Sequence, residues 1–249
     1  MKNKLQLEKE KRYHYMIMGY ETFPKALKTL SQELSFYRFE RKPDVNGKEI
    51  MYDLANNALF DNGIILSKLY ENGKVMFKVR KLSFLPGEVN MPSKKFVLQE
   101  IDNDAEPKDF SLQISSAIEN SFSTPFTIDL DAVVREVVPK IEVDIESERY
   151  LIIGGTGYRG ELCHEFVTYR DLATKKKVKK EGVILKLPYD EIYQKENEYI
   201  LDVIDRKVQG FGLYNMTRFE LAQKALYSQN EDEEYEDEEG GDEDGEGEE

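Results

Sequence analysis

The 249 residues, 40% hydrophobic and 11% aromatic, can bury the core of one large domain or of two small ones, which excludes a wholly disordered chain. The formal net charge of −14 sits at one end: residues 231–249 hold fourteen acids and no Lys or Arg, leaving thirty-five acids against thirty-five bases upstream. There is no membrane-length apolar run and no signal-peptide pattern; the single Cys163 excludes an internal disulfide, and with only His14 and His164 beside it a zinc centre is short of ligands. Composition thus predicts a cytoplasmic setting, and any metal would be a hard cation held by carboxylates. The tail, residues 230–249, is expected to be disordered, a solubility or partner-binding appendage to a folded body over residues 1–229.

Taken in order, residues 5–18 alternate as a strand, with Glu8, Glu10, Arg12, His14 and Met16 on one side. Phe23, Ala26, Leu27, Leu30 and Leu34 follow helical spacing over residues 22–37, behind Thr22 as N-cap and Pro24 in the first turn. Strands are predicted over 36–42, 49–54 and 63–70, and Asn72-Gly73 turns the chain into another over 75–82. Residues 94–101 read as a strand and 109–122 as a helix, while 129–138 fits either. Strands follow over 140–153 and 161–169. The run from Lys175 to Lys180 is placed in a loop before a strand over 183–187, and helices close the chain over 192–204 and 217–227. The sum is an α+β chain of about eight antiparallel strands without internal repeats.

Several strands are polar on a whole face. Lys74, Met76, Lys78 and Arg80 oppose Val75, Phe77 and Val79; Glu142, Asp144, Glu146 and Glu148 oppose Ile141, Val143 and Ile145. A half-exposed sheet accounts for this, and so does a barrel with a charged lumen. Gly155-Thr156-Gly157-Tyr158-Arg159-Gly160 satisfies GxGxxG, but a strand follows it where a dinucleotide site needs a helix, so it reads as a hairpin turn. Cys163 and His164 are adjacent on a strand and face opposite ways, against a nucleophile and base pair. The lysine run lacks interleaved aromatics, which disfavours a nucleic-acid site.

Three separated pieces resemble the CYTH proteins, the superfamily of triphosphate tunnel metalloenzymes. Glu8 to Tyr13, EKEKRY, is similar to the ExExK signature, with Arg12 in the lysine place. Ile50 to Lys81 is similar to the family's Tyr-Asp strand, helical turn, glycine and two basic strands. Thr217-Arg218-Phe219 looks like its Ser-Lys-Tyr signature at the last helix. The resemblance implies an antiparallel eight-stranded tunnel with flanking helices, binding a triphosphate or polyphosphate small molecule with Mg²⁺ or Mn²⁺. Glu8 and Glu10 would be catalytic and, with Glu165, metal ligands; Arg12, Lys68, Lys78, Arg80 and Arg218 would bind substrate. Independently of the family, two carboxylates at i and i+2 of a strand point the same way and can share a divalent cation.

Departures accompany the likeness. Leu66-Ser67-Lys68-Leu69 stands where the family carries two arginines and puts its lysine out of phase; Asp144 and Glu146 fall near expected basic places; Lys186 replaces an expected glutamate. Two functions are therefore expected from the sequence: metal-dependent hydrolysis of a triphosphate-bearing ligand, or a fold that keeps binding or scaffolding without catalysis.

Overall fold

The structure, a computed structural model, describes residues 6–9, 12–19, 21–71, 73–82, 92–121, 128–155, 157–213 and 217–228. Glu10 and the acidic segment 230–249 lie outside the described residues, as does the side chain of Glu8. The N-terminal chain makes β1 (Gln6–Lys9) and β2 (Arg12–Ile17) and then α1 (Phe23–Glu33). The next strand, β3 (Arg38–Asp53), runs unbroken where the sequence predicts two. Pro43, which has no N–H to donate, is absorbed where the register with the neighbouring strand shifts between Lys42 and Val45.

At the end of β3 the Asp53 carboxylate accepts N–H groups from Leu54, Leu59 and Phe60 at 2.7, 2.9 and 3.0 Å, which folds the helical turn α2 (Ala58–Asp61) back on the strand. Strands β4 (Ile64–Glu71) and β5 (Lys74–Leu82) form the predicted hairpin, with Gly73 at φ 74° in a region open to glycine. There follow β6 (Pro92–Ile101), α3 (Ser111–Ser121) and α4 (Leu130–Glu136), the last settling an open sequence reading as a helix capped by Asp129. Strands β7 (Val138–Ile153), β8 (Arg159–Asp171) and β9 (Lys177–Pro188), helix α5 (Gln194–Lys207), β10 (Phe211–Leu213) and α6 (Arg218–Tyr227) complete the order. The lysine run is thus only partly a loop. Lys177 to Lys180 pair with β8, and Val178 turns inward to pack with the apolar cluster around α6.

All strands pair antiparallel, in the order β1-β6-β5-β4-β3-β7-β8-β9-β2-β10. Lys9 and Arg12 are three residues apart, so their Cα atoms lie within about 11 Å. Yet β1 pairs with β6 and β2 with β9, at opposite ends of this ladder. The sheet therefore curls until its ends meet at the N-terminal chain. Counting β1 and β2 as one, and β10 as a short addition, gives the eight-stranded barrel with flanking helices expected from the sequence, an α+β fold.

Two apolar layers cover its outside. Phe23, Ala26, Leu30 and Leu34 of the α1 region and Ile200, Val203 and Ile204 of α5 pack on Ile17, Ile152, Leu162, Val183, Leu185 and Leu187. Ile114, Ile118, Leu130 and Val134 of α3 and α4 pack on Leu66, Phe77, Val79 and Val97. The glycine-rich segment is a hairpin turn, as expected. Tyr158 is fully buried there, its hydroxyl donating to Asn197 Oδ1 at 2.9 Å, and a Cβ on Gly160 would meet the Tyr158 ring at 3.2 Å. Among the described residues no helix is long and apolar enough to cross a membrane.

Candidate functional site

Alternation decides which side chains enter the barrel. Arg12 and His14 of β2, Glu49 and Met51 of β3, Ser67 and Leu69 of β4, Lys78 and Arg80 of β5, Ser147 and Arg149 of β7, Glu161 and Glu165 of β8, and Ile184 and Lys186 of β9 line one cavity of about 610 Å³. Thr217, Arg218 and Phe219 join them from α6. This helix stops one end of the barrel: Phe219, Ala222 and Leu226 pack on Met51, Ile65, Ile141, Val143, Val167 and Tyr169. At the other end the lining reaches the exposed Glu71 at the β4–β5 hairpin.

The start of α6 is fixed by its own sequence. Thr217 Oγ1 accepts the Glu220 N–H at 3.2 Å, and Glu220 Oε2 accepts the Thr217 N–H at 2.7 Å, a reciprocal cap. Arg218, the first helical residue, is thereby held over the cavity, where Nη2 donates to Glu165 Oε2 at 2.9 Å. Lys186 Nζ stands 3.8 Å from the other Glu165 oxygen. One level away, Glu161 accepts from Arg12 at 2.5 Å and Arg149 at 2.6 Å, and from the Cys163 thiol at 3.2 Å.

These contacts set the protonation states. Burial alone would raise Glu161, but donation from Arg149, the charge of Lys186 and donation from Arg12 and Cys163 outweigh it and hold the carboxyl at about 2. Burial likewise opposes ionisation of Glu165, and the charges of Arg218 and Lys186 reverse the direction to below the usual carboxylate range. Burial pushes the Cys163 thiol up to about 12, against the charge of Lys186 and with that of Glu161, so it is no nucleophile at neutral pH. His164 points the other way, stacked on Phe23 and bonded to Glu181 at 2.6 Å.

Of the expected substrate-binding residues, Arg12, Lys78, Arg80 and Arg218 line the cavity. Lys68 does not. It is 2% exposed on the outer face of β4, donating to the Ala105 carbonyl at 2.8 Å with Glu106 at 3.6 Å, because a one-residue offset on a strand reverses the face. The same rule corrects β7. Asp144 and Glu146 alternate with the cavity-lining Ile145, Ser147 and Arg149, so they do not oppose an anion inside; the outer Glu142 pairs with Arg170 and with Lys48, the latter at 2.5 Å.

No protein-family model and no curated protein matches the chain. Solved structures do. A putative adenylyl cyclase from Hippeastrum, described as having a dominant triphosphatase activity, aligns at 12% identity and TM-score 0.49, covering 86% of this chain and 95% of its own. A putative adenylate cyclase from Bacillus halodurans aligns at 10% identity and TM-score 0.47 over 86% and 97%. One from Vibrio parahaemolyticus aligns at 10% identity and TM-score 0.40 over 86% and 98%. The likeness to these proteins is one of fold. Residue roles rest on the chain's own geometry.

A CYTH-type site, as the resemblance implies it, needs carboxylates available to a divalent cation. Among the described residues no group of three or more His, Cys, Asp or Glu is placed to hold one. Glu165, expected as a ligand, is engaged by Arg218 and Lys186, and Glu161 by Arg12 and Arg149. The described donors therefore do not fit Mg²⁺ or Mn²⁺. Glu10 lies outside the described residues, and of Glu8 only the backbone is placed, opposite Phe96, itself opposite Arg80.

The sequence offers Glu161 beside Glu165 on one strand, but gives no prominence to Arg149, Glu49 and Ser147, and Lys186 reads there as a loss. Arg149 was legible as the odd-numbered member of the row Ile145, Ser147, Arg149. Glu49 is buried in the cavity wall with no ion-pair partner among the described residues, and Ser147 Oγ is buried there without a hydrogen-bond partner.

Proposed function

We propose that the barrel cavity binds a small molecule bearing a triphosphate or a longer polyphosphate. One observation carries this reading: six inward-facing basic side chains from five elements, Arg12, Lys78, Arg80, Arg149, Lys186 and Arg218, line a single recess of about 610 Å³, with Lys48 at its edge turned to Glu142. A linear polyanion is the ligand whose charge and length match bases arrayed along a barrel wall, and guanidinium groups suit phosphate oxygens in geometry as well as charge. The unpartnered Ser147 hydroxyl adds a neutral donor in the same wall. Positioned charge is most of what phosphoryl chemistry asks of a protein, so the same cavity is compatible with hydrolysis.

Hydrolysis is the finer part of the proposal and rests on Glu8 and Glu10 with Mg²⁺ or Mn²⁺. A binding role without turnover is favoured by a specific observation, that Glu161 and Glu165, the acids a metal would need, are already paired with four of the six bases. The deciding experiment is calorimetric titration with inorganic triphosphate and ATP, with and without each metal, beside phosphate release under the same conditions. Arg80→Ala and Arg218→Ala should each weaken binding by about tenfold or more, the cost of losing one charged hydrogen-bonding partner. Unchanged affinity in both would overturn the reading. Release that disappears in Glu10→Gln adds triphosphatase activity; tight binding without release leaves a binding module.

A further inference from the structure

Outside the cavity, a basic surface forms at the start of β9. Lys175, Lys176, Lys177, Lys179 and Lys180 fall within six residues and all are exposed. On one side this stretch pairs with β8, Lys177 opposite Arg170 and Lys180 opposite Val167. On the other, β2 pairs only with Val183 to Pro188, which leaves residues 177–182 as an open edge among the described residues. Three nearby acids are committed elsewhere. Glu181 is bonded to His164 at 2.6 Å, Glu142 is shared by Arg170 and Lys48, and Asp171 accepts from Ala173, Thr174 and the Tyr227 hydroxyl. Lys177, Lys179 and Lys180 have no ion-pair partner among the described residues.

The last helix ends on this same surface. Lys176 Nζ donates to the Leu226 carbonyl at 2.5 Å, and Tyr227 Oη donates to Asp171 Oδ2 at 2.5 Å. From Ser228 three residues of chain reach Glu231, the first of the fourteen acids in residues 231–249. We propose that this acidic segment docks intramolecularly on the lysine-bearing edge at the start of β9. So short a tether gives the segment an effective concentration in the millimolar range, on the order that weak, exposed charge pairs need to persist together. Charge complementarity is the whole of the attraction, so it acts within a screening length of about 10 Å at 0.1 M salt. Docked, the segment shields from other polyanions a surface that the phosphate backbone of a nucleic acid would also attract. The proposal is independent of what the cavity binds.

Carbodiimide cross-linking of the full chain tests it, with mass spectrometry of the monomer fraction. In about 20 mM salt, cross-links should join residues 231–249 to Lys177, Lys179 and Lys180, and fall by about tenfold or more in 0.5 M salt. Cross-links concentrated on Lys78 or Lys186, found only between molecules, or spread evenly over surface lysines would overturn the proposal. A second measurement uses a 20-nucleotide RNA as probe. A full-length variant with the tail acids changed to the matching amides should bind it about tenfold or more tightly than the unaltered chain. Adding K177Q, K179Q and K180Q, all exposed and so tolerated by the fold, should abolish that gain. Equal RNA binding with the acidic tail intact would make this edge a nucleic-acid site and end the proposal.

Discussion

Glu161 shows how a single carboxylate can organise the cavity wall. It joins β2 to β7 through Arg12 and Arg149, and its pKa falls from the ordinary 4.5 to about 2. A lowered pKa stabilises the fold above the unfolded value and loses that contribution as pH falls through the folded one. The shift corresponds to on the order of 3 kcal/mol at neutral pH, lost between about pH 4.5 and 2. Urea titrations of Glu161→Gln should therefore give a shallower loss of stability over that window than the unaltered protein, with Glu165 supplying what slope remains. Glu49 is a buried carboxylate in the same cavity wall, with no cation paired to it among the described residues. With metal chelated, Glu49→Gln should raise triphosphate affinity by about tenfold through removal of its negative charge, and calorimetry reads the change directly. The phase of Arg80 and Arg218 was legible from the sequence. That of Arg149 could be counted from Ile145 and Ser147 but was easily overlooked, because Ile141, Val143 and Ile145 on its own face look like ordinary core, and the lower barrel interior is indeed apolar.

Helix α6 serves as both stopper and arm. Its apolar face fills the barrel end while its capped first turn carries Arg218 inward, so core packing and the contact with Glu165 share ten residues. Phe219→Ala should cost about 3–5 kcal/mol in chemical denaturation and weaken ligand binding with it, because Arg218 loses its footing. The helix start was readable from Thr217 and its spacing to Glu220. Its role as a stopper was not, since the apolar residues it meets lie on five strands far apart in sequence. The unbroken β3 was also illegible: Pro43 is a local signal for a break, and only pairing with β7 reveals that the register shift accommodates it.

At the scale of the molecule, the barrel is closed by its first strand segments. β1 and β2 hold opposite ends of the sheet, so closure joins residues near the N-terminus to β9, over 160 residues later. Contacts of such separation are slow to form and strongly cooperative once made. Deletion of residues 1–11 should leave β6 as an unpaired edge, giving lower thermal stability and concentration-dependent association in size-exclusion chromatography. Unchanged elution and melting would mean that β1 is dispensable. Antiparallel strands and flanking helices were foreseeable from periodicity and the family likeness. The pairing of Glu161 and Glu165 with inward-facing bases was not, because it depends on which of two alternating faces turns inward.

The stopper at the α6 end makes the recess blind. Were a linear polyphosphate the ligand, it would have to enter terminus first and leave by the same mouth. The protein would then measure chain ends rather than chain length. Doubling the length of a polyphosphate at constant molar concentration of termini should leave occupancy unchanged, and a cyclic phosphate of equal charge, having no end to offer, should be excluded.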